Sequence, residues 1–165
     1  MVMDTGSTDD TYEYFLQKQK EYPQLIVAQQ IINPWRFDVA RNESMKYIPK
    51  DCNILFSTDL DEILHPGWGN ELRNRWIEGI HERGLYLYTW SHLEDGSPGR
   101  IITYDKIHSR NWIWKAPVHE YLFNIKENTE NYDVTKTISF YDTDIIHLEH
   151  FADNTKSRKS YLPLL

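Results

Sequence analysis

The stretch NILFSTDLDEIL, residues 53–64, joins an apolar run to three carboxylates within four positions, Asp59, Asp61 and Glu62. Like charges that close repel, and a fold gains nothing from placing them together unless something positive sits between them. The apolar run reads as a buried strand whose end carries the acids. In open α/β sheets, ligands bind beyond the carboxyl ends of the strands. Hard carboxylate oxygens at Asp-x-Asp spacing suit Mg2+ or Mn2+, ions that keep several waters and bridge to phosphates. The competing reading is a solvated loop whose acids cap a following helix.

Strand-like and helix-like signals alternate on either side of this stretch. MVM (1–3) is an apolar stub running into DTGSTDDT, a cluster of turn and cap formers. Residues 10–22 read as a helix with Thr8 or Asp9 as N-cap and Pro23 closing it. LIVAQQI (25–31) reads as a strand, FDVARNESMKYI (37–48) as a helix ending before Pro49, and 69–83 as another helix. This order implies a mainly parallel sheet with helices on its faces. Beyond Gly84, LYLYTWSH, RIITYDKIHS and YDVTKTISFYDTDIIHLEHF are aromatic and β-branched, and read as antiparallel strands added at one sheet edge. Only the three-residue stub precedes the first loop, where a doubly wound sheet opens on a full strand. The expectation is a chain whose first strand is missing.

At 165 residues the chain suits one domain with one core. A formal charge of −7 argues against a nucleic-acid binder, which needs a basic face. The 14% aromatic content supplies a core of large side chains and also rings able to stack on a flat ligand. A single cysteine, Cys52, excludes an internal disulfide and a cysteine-based zinc site, which favours a reducing, cytoplasmic location. No apolar run approaches the roughly 18 residues of a membrane span, and the N-terminal residues do not read as a signal peptide. Peripheral contact with a membrane stays open.

Two further clusters could carry chemistry. In DTGSTDDT, Asp4 would point from a strand end into a cleft, and Gly6 would let the backbone approach a nucleotide; the plain alternative is a turn. In NWIWKAPVHEYL (111–122), Trp112 and Trp114 alternate onto one face, and Pro117 breaks the run before His119 and Glu120. Glu120 reads either as a general base or as half of an exposed His–Glu pair. Arg41, within FDVARNES, is a solvated helix residue or a cation facing a nucleotide. His147 and His150 fall on opposite faces of a strand, so a shared metal site is not expected, although either one could complete a metal shell.

Taken in order, VMDTGSTDDT, FDVARNES, ILFSTDLDEIL and WKAPVHEYL resemble the family-2 glycosyltransferases of GT-A fold. The likeness is closest to the branch with lipooligosaccharide β-1,4-glucosyltransferases and peptide-modifying bacterial enzymes. The resemblance implies an α/β fold with a Rossmann-like mixed sheet and antiparallel C-terminal additions. It covers a transferase domain over 1–151 lacking its first strand, with 152–165 beginning a C-terminal helical extension. It implies that Asp4 contacts the base of a nucleotide-sugar donor, a UDP-sugar by expectation, with Gly6 and Arg41 near the nucleotide. Asp59 would reach the ribose and, with Asp61, a Mn2+ or Mg2+ ion, while Glu62 orients the ion's waters. Glu120, with His119 beside it, would be the base that deprotonates a saccharide or peptide acceptor in an inverting transfer, walled by Trp112 and Trp114. The short Lys-Asn-Glu-like segment of the family's first strand is absent here.

Two rivals stand beside this reading. ILFSTDLDEIL also resembles the first motif of haloacid-dehalogenase-type phosphatases, with Asp59 as nucleophile, although Glu62-Ile63 stands where Gly-Thr is usual. The other rival is a non-catalytic carbohydrate- or nucleotide-binding fragment.

Overall fold

The structure, a computed structural model, describes residues 1–152. Its elements in chain order are β1 (Val2–Asp4), α1 (Thr11–Glu21), β2 (Val27–Gln29), α2 (Phe37–Met45), β3 (Leu55–Phe56), β4 (Glu62–Leu64), α3 (Trp68–Arg75), β5 (Arg83–Thr89), β6 (Ile101–His108), β7 (Trp112–Lys115), β8 (Tyr121–Asn124), β9 (Thr137–Ser139) and β10 (His147–His150). The class is mixed α/β. The C-terminal helical extension expected over 152–165 lies, from residue 153 onward, outside the described residues.

The chain divides into two compact units. The first combines Met1–Cys52 with Ile113–Phe123, and the second runs over Asn53–Trp112 and resumes at Asn124.

In the first unit β1 and β2 pair in parallel, Val2 opposite Val27 and Asp4 opposite Gln29, with α1 as the crossover between them. The N-cap of α1 is Asp10, which makes no side-chain cap bond, rather than the expected Thr8 or Asp9; Asp9 Oδ1 still accepts from the Thr11 backbone N–H at 3.1 Å and satisfies one of the helix's unpaired donors. Glu13 in the first turn and Lys18 and Lys20 in the last match the helix dipole. The helix expected over 37–48 stops at Met45 and tightens: Lys46, Tyr47 and Ile48 donate backbone N–H groups three residues back, to Glu43, Ser44 and Met45. Pro49 accounts for the change, because its ring disfavours helical backbone at Ile48. β7 and β8 form a separate two-stranded sheet.

The second unit is built on a six-stranded sheet of order β3-β6-β5-β10-β4, with β9 beside the start of β5. It is mixed rather than mainly parallel. β5–β6, β3–β6 and β10–β4 are antiparallel, while β5 pairs in parallel with β9 and then with β10. The short EDGSPG connection only lets the chain reverse, which makes β5 and β6 antiparallel. β3 hydrogen-bonds to β6 rather than extending a parallel run with β1 and β2.

The core of this unit gathers Tyr86, Ile107, Phe140, Ile146 and Leu148 around Leu72 and Trp76 from the α3 region. Gly84 is required where β5 and β6 close up: an added Cβ would lie 3.0 Å from Ile107 Cβ and 3.2 Å from Phe140 Cε2. The helix expected over 69–83 ends at Arg75. Trp76 turns extended to bury its ring, and Gly79, at φ 79°, takes a left-handed conformation that no helix continues through.

Candidate functional site

The acids of the opening stretch form one turn between β3 and β4. Glu62 donates its backbone N–H to Asp59 O at 3.2 Å, and Asp59 donates its own to Glu62 Oε2 at 2.8 Å. Glu62 begins β4, a strand that the sequence reading did not contain, and sits opposite His150 in the register with β10.

The three carboxylates then part ways. The Glu62 side chain is only 2% exposed, whereas those of Asp59 and Asp61 are 46% and 45% exposed. Glu62 Oε1 accepts from Lys106 Nζ at 2.8 Å and from the Tyr88 hydroxyl at 2.9 Å. Lys106, buried on β6, also donates to Asp59 Oδ2 at 3.3 Å. Its ammonium lies 5.1 Å from the centre of the Tyr104 ring and 5.9 Å from that of Tyr88. Burial first, then the charge of Glu62, pushes the Tyr88 phenol upward, so it remains a donor. Asp61 Oδ2 faces His150 Nε2 at 3.4 Å.

The charge between the carboxylates is therefore a lysine of this chain. Its signal in the sequence was slight: period-two alternation puts Lys106 on the same face of TYDKIHS as Tyr104.

Among the described residues, no three His, Cys, Asp or Glu side chains gather as a metal site. Two half-exposed carboxylates offset by one ammonium still leave an acidic surplus of hard oxygens. That donor set fits an ion such as Mg2+ or Mn2+, which fills its remaining positions with water or phosphate oxygens.

In the first unit the candidate residues are engaged with one another. Arg41 Nε donates to Glu120 Oε1 at 2.8 Å, both side chains being about nine-tenths buried (11% and 12% exposed), and the Arg41 guanidinium lies 5.1 Å from the centre of the Trp114 ring. The Asn42 amide pairs with both backbone groups of Trp114, donating from Nδ2 to its carbonyl at 2.8 Å and accepting its N–H on Oδ1 at 2.9 Å. Phe37 donates its backbone N–H to Pro117 O at 3.0 Å, which ties the start of α2 to the same loop. Ala116 and His119, at φ 81° and 55°, carry left-handed backbone that is costly for non-glycine residues, and His119 is exposed.

Asp4 is buried, and its carboxylate accepts from the N–H groups of Gly6 and Ser7 and from Gln29 Nε2 at 2.9 Å. Burial works against its charge, but the bonds from Ser7, Gln29 and Gly6 outweigh it and hold the carboxyl below its ordinary value. Gly6, at φ 110°, provides the turn that brings those N–H groups round. Asp4 organises its own loop.

Trp112 and Trp114 do not form an open wall. Each is 3% exposed, and guanidinium groups cover them, Arg83 lying 5.4 Å from the Trp112 ring centre and Arg41 against Trp114.

Comparison with protein-family models and with curated proteins returns no match. No helix among the described residues is long and apolar enough to cross a membrane.

Proposed function

We propose that the chain is a glycosyltransferase, moving a sugar from a nucleotide-diphosphate donor to an acceptor hydroxyl of a saccharide or peptide with inversion. The observation that supports this reading is the division of labour within one turn. Glu62 faces inward onto Lys106 and Tyr88, which leaves Asp59 and Asp61, two residues apart, half-exposed to a ligand. The turn leads into β4 rather than into a helix, so its acids do not act as helix caps.

Asp61 and Asp59 would hold a Mn2+ or Mg2+ ion. When bound, the ion supplies positive charge to the diphosphate that leaves as the sugar–phosphate bond breaks. Glu120 is the candidate base for the acceptor proton, and Arg41 fixes its carboxylate in place. Asp4 supports the reading indirectly, by shaping the loop that carries Gly6 and Ser7.

The test is release of nucleoside diphosphate from a panel of nucleotide sugars, with and without Mn2+ and with a saccharide or peptide acceptor. Mn2+-dependent release that disappears in Asp61→Ala is expected. Failure to turn over any donor, together with failure to bind any nucleoside diphosphate, would overturn the proposal in favour of a structural or binding role.

A further inference from the structure

We propose that Lys106 is a built-in competitor for the divalent ion: its ammonium balances the acidic turn in the metal-free chain and keeps the affinity for free cation low. This inference rests on the metal reading proposed above. Lys106 Nζ is held by Glu62 Oε1 at 2.8 Å and Asp59 Oδ2 at 3.3 Å, with the rings of Tyr104 and Tyr88 beside it. The side chain is 4% exposed and its partner Glu62 is 2% exposed, so the ammonium cannot swing aside without leaving a buried carboxylate uncompensated.

An ion that binds Asp59 must therefore share that carboxylate with the lysine. Repulsion between a divalent and a monovalent cation on either side of one carboxylate weakens binding of the free ion. A diphosphate changes the balance, because its negative charge offsets both cations. The free chain thus resists stray divalent ions and takes up the ion together with its diphosphate. Lys106 is in this sense a positioning residue that acts through Glu62 and Asp59.

The probe is Mn2+ alone, with the free ion measured by electron paramagnetic resonance on the full chain. Lys106→Gln, whose amide can still donate to Glu62, is expected to bind Mn2+ at least about tenfold more tightly than the unaltered chain. Lys106→Arg keeps the charge and is expected to stay within about threefold. Should Lys106→Gln fail to fold, the comparison moves to Glu62→Gln, in which Asp59 remains as carboxylate partner of the lysine, against Glu62→Gln with Lys106→Gln, in which both members of the pair are neutral, and the double variant is expected to bind more tightly by the same factor. Measurable Mn2+ binding that does not tighten when Lys106 is neutralised overturns the competitor role and leaves the transferase reading intact. Absence of Mn2+ binding in every variant, with and without UDP, overturns the metal reading and this inference with it.

Discussion

Lys106 Nζ lies 2.8 Å from Glu62 Oε1, and both side chains are almost fully buried. A buried ion pair of this kind is a poor source of net stability, because removing two charges from water costs several kcal/mol before their attraction returns it. Its consequence is directional: it pins one of three neighbouring acids inward and so decides which two remain outside.

Breaking that pair is expected to be severe, and removing it whole mild. Lys106→Met should destabilise the chain by about 3–5 kcal/mol, since Glu62 is left buried and uncompensated. Lys106→Met combined with Glu62→Gln should recover most of that loss. Urea denaturation of the two variants against the unaltered chain checks this, and equal stability of the single and double variants would mean that the pair is not coupled.

The clamp of Asn42 on Trp114 predicts that Asn42→Ala costs about 1–3 kcal/mol, because a buried N–H and a buried carbonyl lose their partner together. Hydrogen exchange at the Trp114 amide reads the effect locally. Unchanged protection there would show that the clamp contributes nothing.

Gly84→Ala is expected to cost about 1–3 kcal/mol, since the new methyl meets Ile107 at Cβ, an atom close to the backbone that cannot swing away. Thermal unfolding measures it, and a melting temperature at or above that of the unaltered chain would contradict the close approach of β5 and β6.

Stability should fall with acid in two stages. Burial, with His65 beside it, holds the His147 imidazole below its ordinary value of 6.5, and burial does the same for His81. Such a group stays neutral in the folded chain while the unfolded chain takes up a proton, so its contribution is complete above about pH 6.5 and declines as pH drops below it. Hydrogen bonds from His65 and His92 hold the Glu149 carboxyl below its ordinary value of 4.5, so its contribution is present above that value and is lost below it. Denaturation midpoints at pH 7.5, 5.5 and 4 follow both stages. The double substitution of His147 and His81 by Asn should flatten the first alone, and a midpoint constant from pH 7.5 to 5.5 in the unaltered chain would contradict the assignment.

Much of the local structure could be read from residue patterns. Alternating aromatic and β-branched residues marked β5 and β6, and the caps and prolines placed α1 and α2 to within a few residues. The three-residue β4 escaped notice because it exists only through pairing with β10, more than eighty residues later in the chain. α3 ran short because burial of Trp76 and the backbone of Gly79 overrode helical periodicity. Asp59, Asp61 and Glu62 stood out as a cluster, but their distinct fates did not, since Lys106 lies 44 residues beyond Glu62. Alternation puts Trp112 and Trp114 on one face, as β7 has them, and their burial beneath Arg83 and Arg41 is a tertiary fact that no spacing encodes. Arg41 and Glu120 were singled out separately, and the ion pair between them emerged only from the fold.

Calorimetry of UDP binding tests the central claim most directly, comparing the unaltered chain with Asp61→Ala in Mn2+ and in a chelator. The Asp61 side chain is 45% exposed, so the substitution should leave stability within about 0.5 kcal/mol and isolate the effect on ligand. The account predicts UDP binding that requires Mn2+ and is lost in Asp61→Ala. Equal UDP binding by both chains, or binding unaffected by the chelator, would contradict it.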